Sequence, residues 1–118
     1  MTAPQMIAHL SDQMRHTLDD RPIQPKQVLL RWPIVRYLTI YWLPWPKGRV
    51  QGPPEAFLRQ PTTWAADVAA LEKLVERFAA RNPGDVWPEH VLFGRMSGKD
   101  WGVFCYRHFD HHFRQFGV

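Results

Sequence analysis

The sequence predicts an all-α fold, four helical segments packed as an up-and-down bundle. Three observations lead there. Apolar residues recur at three- and four-residue spacing, capping residues stand in front of those stretches, and Pro- or Gly-containing breakers end them. At 118 residues, 45% hydrophobic and 22% charged, the chain reads as one globular domain, 1–118, large enough for a real core.

The first helix is expected from Pro4 to about Asp19. Thr2 caps it, Pro4 suits an early-turn position, and Ile7, Leu10, Met14 and Leu18 form its apolar stripe. His9 and His16 lie on the flank of that stripe, and Arg21-Pro22 breaks the helix. From about Pro25 to Trp42 the chain is almost continuously apolar. Its β-branched residues admit a strand, but length and all-round hydrophobicity predict a buried helix, kinked or interrupted at Pro33.

Leu43 to Pro61, with five prolines and two glycines, is a long irregular connection between the second and third helices. Within it Trp45 is either the cover of a pocket mouth or an ordinary packed aromatic. The third helix is expected from about Thr62 to Arg81, capped by Thr62 or Thr63, with Trp64, Val68, Leu71, Leu74, Val75 and Phe78 as its stripe. Glu72, Lys73, Glu76 and Arg77 make its charged face, and Asn82-Pro83-Gly84 stops it. A second loop carries His90, expected to be a structural histidine at the surface. Ser97-Gly98-Lys99-Asp100 then opens the last helix, which runs to about Phe116.

Composition excludes several function classes. No apolar run approaches the ~20 residues needed to span a bilayer, and the N-terminus lacks a secretion signal, so a cytoplasmic location is expected. A single cysteine rules out an internal disulfide framework, a zinc finger and an iron–sulfur site. Any metal must be held by histidine and carboxylate. The net charge of +4 raises the question of nucleic acid, but the basic residues are scattered and form no block or known binding motif.

The only dense group of metal-capable side chains is His108-Phe109-Asp110-His111-His112. On a helix, His108 and His112 project within about 40° of each other, one turn apart. Trp101, Cys105, Phe109 and Phe116 surround that direction, Arg107, Asp110 and Arg114 point the other way, and His111 falls on the edge. Two buried imidazoles both need partners and neither is easily charged. A shared metal meets that need; a water-bridged or solvent-facing pair is the competing reading.

The run PQMIAHL, the stretches LPWPKG and PPE, then FGRMSGKDWG and YRHFDHHFRQFG resemble the DinB-like superfamily of helical bundles, and a bacterial subgroup of it most closely. The resemblance covers most of the chain. It implies a divalent metal, zinc or nickel, held by three histidines, which by position are His9, His108 and His112. Helical phase independently selects His108 and His112 but not His9; His16, two turns on along the same side, is its rival. Characterised members include thiol-dependent transferases and isomerases, so the resemblance implies a metal-dependent transferase or hydrolase acting on a small molecule, with a low-molecular-weight thiol as partner.

Around that site, His111 reads as a donor behind the ligands or as a surface residue. Cys105 reads as a fourth ligand or nucleophile, or as buried packing; Gln115 orients a ligand or caps a frayed helix end. Asp12, Glu55, Glu89 and Asp110 are candidate acid/base groups, each equally a plain surface carboxylate. Family members usually carry a further helix before the PQMIAHL helix, so either the true start lies further upstream or a second copy covers the face, and a homodimer is expected. The alternatives to an enzyme are a non-catalytic metal-binding or stress-related interaction bundle and, suggested by charge alone, a nucleic-acid-binding protein.

Overall fold

Thr2 starts the first helix as its sequence demands. Its hydroxyl accepts from the Gln5 amide at 3.2 Å while the Gln5 side chain accepts from the Thr2 amide at 2.8 Å, a complete capping box. A computed structural model describes residues 2–18, 28–45, 60–90 and 92–117. Among them are α1 (Ala3–Thr17), a 3-10 turn (Leu29–Arg31), α2 (Pro33–Tyr41), α3 (Trp64–Ala80) and α4 (Gly98–Gln115). The described residues form no strand, only an isolated bridge between His90 and Gly94, so they are all-α. The break predicted at Arg21-Pro22 and most of the Pro-rich connection lie outside the described residues.

Helix α1 is the centre of the structure. Its stripe of Ile7, Leu10, Met14 and Leu18 is buried, as its spacing predicts. It packs along α3 and also meets α4. In α3, Leu71 and Leu74 are buried and Val68 and Phe78 half-buried against the core. Two members of the predicted α3 stripe are exposed instead: Trp64 begins the helix, and Val75 sits one residue, about 100°, past the Leu74 direction. Its start is also capped otherwise than expected. Asp67 reaches back to the Thr62 amide and hydroxyl at 2.8 and 2.5 Å, and the Thr63 side chain makes no capping bond.

The second segment departs furthest from expectation. The interruption falls at Pro33, as predicted, with the 3-10 turn before it and α2 after it. The helix is not buried, however: only Ile40 is, while Trp32, Ile34, Tyr37, Leu38 and Trp42 are exposed. A nine-residue helix has little area to bury, and this one is held largely by polar bonds near its C-terminal end. The Tyr41 hydroxyl donates to Asp100 Oδ1 at 2.6 Å. Arg107 of α4 donates from Nη1 to the Thr39 and Ile40 carbonyls, both at 3.0 Å, and from Nη2 to the Leu43 carbonyl. A cation on the last carbonyls of a helix satisfies acceptors that have no partner within it.

Helix α4 opens on a second capping box, with the Asp100 amide donating to Ser97 Oγ at 3.1 Å and the Ser97 amide to Asp100 Oδ2 at 3.4 Å. Gly98 is required for a reason the sequence hides. A Cβ there would meet the Pro83 carbonyl oxygen at 2.3 Å and Trp87 Nε1 at 2.6 Å, so the chain after α3 passes directly over the start of α4. One turn in, Trp101 is completely buried and donates from Nε1 to the Pro88 carbonyl at 3.0 Å.

His90 is structural but not at the surface; it is 6% exposed. The Leu92 and Phe93 amides donate to its Nδ1 at 3.0 and 3.2 Å, and the chain closes through His90–Gly94 backbone bonds, with Gly94 at φ 76°. Its ring packs on Phe93, Trp101 and Phe104. Burial, with the nearby His16 and Arg31 charges adding, lowers its pKa to about 3. Because the folded value lies below the unfolded one, its contribution to stability is complete above about pH 6.5 and falls away as pH drops from there toward 3. Urea unfolding is expected to show this as a loss of up to about 1.4 kcal/mol per pH unit below 6.5. In His90→Asn, whose amide oxygen replaces the Nδ1 acceptor without titrating, the slope should shrink. Equal slopes in the two proteins would refute the assignment.

Candidate metal centre

Helices α1 and α4 bring three imidazoles together. His9 Nε2 lies 3.1 Å from His108 Nε2, and His112 Nε2 lies 3.0 Å from the same atom. One ring nitrogen from each of His9, His108 and His112 falls within 4.8 Å of the others. The rings meet edge to face, with centroids 4.7–5.1 Å apart, and Phe104 stacks under His108 at 5.3 Å.

His9 is buried rather than on a flank, because α1 is covered on two sides. The apolar stripe identifies the side facing α3. The side facing α4 is polar and equally enclosed, carrying His9 and, half-buried, Gln13. A hydrophobic pattern cannot find a buried polar side.

Each α4 histidine is backed at its other nitrogen. His108 Nδ1 lies 3.3 Å from Gln13 Oε1, and His112 Nδ1 lies 3.0 Å from Gln115 Oε1. Gln115 Nε2 is in turn 3.4 Å from His111 Nε2, and His111 Nδ1 is 3.2 Å from the Trp45 carbonyl. Burial, with the His9, His112, His90 and His111 rings adding, pushes His108 well below the usual histidine range. Burial also lowers His112 to about 4, against the opposing pull of Gln115 and with His9 and His111 adding. Both rings are neutral near pH 7, the form in which imidazole offers a lone pair to a metal.

The other candidates are sorted by their surroundings. His16 Nε2 lies 2.8 Å from the Glu89 carbonyl and its ring sits on the edge of Trp101, apart from the three-histidine group. Cys105 is buried and is not in that group. Burial pushes its thiol up to about 12 despite the Gln13 and Thr17 side chains beside it, which favours the protonated thiol. His111 is buried under Trp45 rather than lying on the rim. On its outer side Trp45, Arg107, Asp110, His111 and Arg114 line a depression of about 200 Å³.

Three of the proposed acid/base groups are ion-paired. Asp12 is buried 3.5 Å from Arg15, Glu89 meets Arg31 at 2.8 Å, and Asp110 meets Arg114 at 2.9 Å. Glu55 lies outside the described residues. Gln13 touches the site and carries no sequence signal of its own, since a lone glutamine on a helix matches no pattern.

The donor set fits a divalent cation. Nitrogens bound tetrahedrally at 2.0–2.1 Å sit about 3.3 Å apart, and the two closest pairs here are within a few tenths of that. Neutral imidazoles suit borderline cations such as zinc or nickel. No protein-family model, curated protein or solved structure matches this chain, so the case for its chemistry rests on its own residues.

Proposed function

We propose that this chain is a divalent-metal protein of the DinB-like type, with zinc or nickel held by His9, His108 and His112. One observation carries the reading: three imidazole nitrogens lie within 4.8 Å of one another in a largely enclosed setting, each α4 ring with its other nitrogen already engaged. Three neutral ligands leave the cation its full charge and at least one open position, so that when bound it lowers the pKa of a coordinated thiol or water.

The chain's own residues limit what that chemistry is. Cys105 is held protonated and outside the cluster, which favours a nucleophile brought from outside, a low-molecular-weight thiol or water. The proposed activity is therefore transfer or hydrolysis at an electrophilic small molecule. A second reading, a metal site without catalysis, is supported by the ion pairs that occupy Asp12, Glu89 and Asp110, leaving no described carboxylate at the cluster for acid/base work.

The first test is metal analysis of protein carrying no histidine tag. One equivalent of zinc or nickel per chain, surviving desalting, is expected; no uptake from a stoichiometric titration would reject the site. Turnover of electrophile–thiol pairs by the loaded protein then separates the enzyme from the silent site.

A further inference from the structure

The two glutamines behind the cluster are not free to turn either way. Thr17 Oγ1 donates its single proton to the Gln13 carbonyl at 2.9 Å, so the Gln13 side-chain atom 2.6 Å away must be the donating nitrogen. The same NH2 group reaches Cys105 Sγ at 3.5 Å. Gln13 therefore presents its oxygen to His108, and an oxygen there requires a proton on His108 Nδ1.

A second chain of bonds gives His112 the same sense. The Trp45 carbonyl only accepts, so His111 directs a proton at it from Nδ1, and the ring's other nitrogen, Nε2, faces the Gln115 NH2 group, which only donates. The Gln115 NH2 group donates to it, which leaves Gln115 Oε1 accepting from His112 Nδ1–H. Each chain ends on a backbone carbonyl, which cannot reverse its role.

From these two chains we infer that Gln13 and Gln115 are positioning residues that lock His108 and His112 in the Nδ1–H tautomer. Two bare Nε2 atoms then face each other at 3.0 Å with no proton between them. His9 Nε2 brings at most one proton to the group, enough for one of the two. The cluster is left electron-rich and short of protons, an arrangement relieved by a cation. Hydrogen bonds of this kind behind a metal ligand raise its basicity and fix its orientation. The effect on affinity rests on the metal-site reading above; the tautomers do not.

The experiment is long-range 15N–1H correlation of the histidine rings in the full, metal-free chain at pH 8, followed by zinc titration against a chromophoric chelator. In the wild type, His108 and His112 are expected to show pure Nδ1–H patterns. In Gln13→Met, His108 should shift toward the Nε2–H form while His112 stays, and in Gln115→Met the reverse. Zinc affinity should fall about 10–100-fold in both variants, and Gln13→Glu, which keeps the acceptor, should recover most of it.

An Nε2–H pattern on either ring in the wild type overturns the inference even if both Met variants fail to fold. So does an unshifted His108 in folded Gln13→Met. A wild type with the predicted tautomers that takes up no zinc would instead reject the metal reading and leave the lock standing.

Discussion

His108→Ala is expected to abolish tight metal binding, the largest functional effect of any single change in this chain. His108 Nε2 is the shared neighbour of the other two nitrogens, at 3.1 Å from His9 and 3.0 Å from His112. Zinc sites in small domains bind with about 10 kcal/mol or more at neutral pH. Losing one of three ligands removes on the order of a third of that, roughly a hundredfold or more in Kd. His16→Ala is the control, because His16 bonds the Glu89 carbonyl and stands apart from the group. Competition with a chelator measures both, with circular dichroism to show that the helices persist. Equal affinities in the two variants would sink the assignment of His108.

Trp101→Ala carries the largest expected effect on stability. The ring is fully buried, contacts His16, His90 and Phe104, and donates to the Pro88 carbonyl. Emptying such a site destabilises by about 3–5 kcal/mol, and the abandoned carbonyl adds its own penalty. Domains of this size are held by about 5–15 kcal/mol in all, so the variant should lose a third or more of its stability at the middle of that range. Trp101→Phe keeps most of the packing and loses the hydrogen bond, and should fall between. Chemical denaturation measures the series; a loss under about 1 kcal/mol in Trp101→Ala would contradict the burial argument.

What the sequence reveals here is what is local. Both capping boxes, the interruption at Pro33 and the phase that separates His108 and His112 from His111 depend on residues within a turn or two of each other. What it conceals depends on who lies opposite. His9 is enclosed because α1 is covered on two sides, and periodicity recognises only the apolar one. α2 is largely apolar yet mostly exposed, because only Ile40 and Tyr41 reach the core while Arg107 and the Tyr41–Asp100 bond hold its C-terminal end. His90 owes its burial to amides two and three residues on, geometry that loop composition does not encode.

His9 and His108 are 99 residues apart along the chain. Tying two points that far apart in an unfolded chain costs on the order of 5 kcal/mol of chain entropy, and the docking of α1 with α4 has met that cost before any ion arrives. The helix that carries His108 and His112 holds only part of the cluster, so its isolated peptide should be a poor chelator. Occupancy of this junction is therefore a gauge of the native state as a whole: uptake follows the folded population, and release marks its collapse.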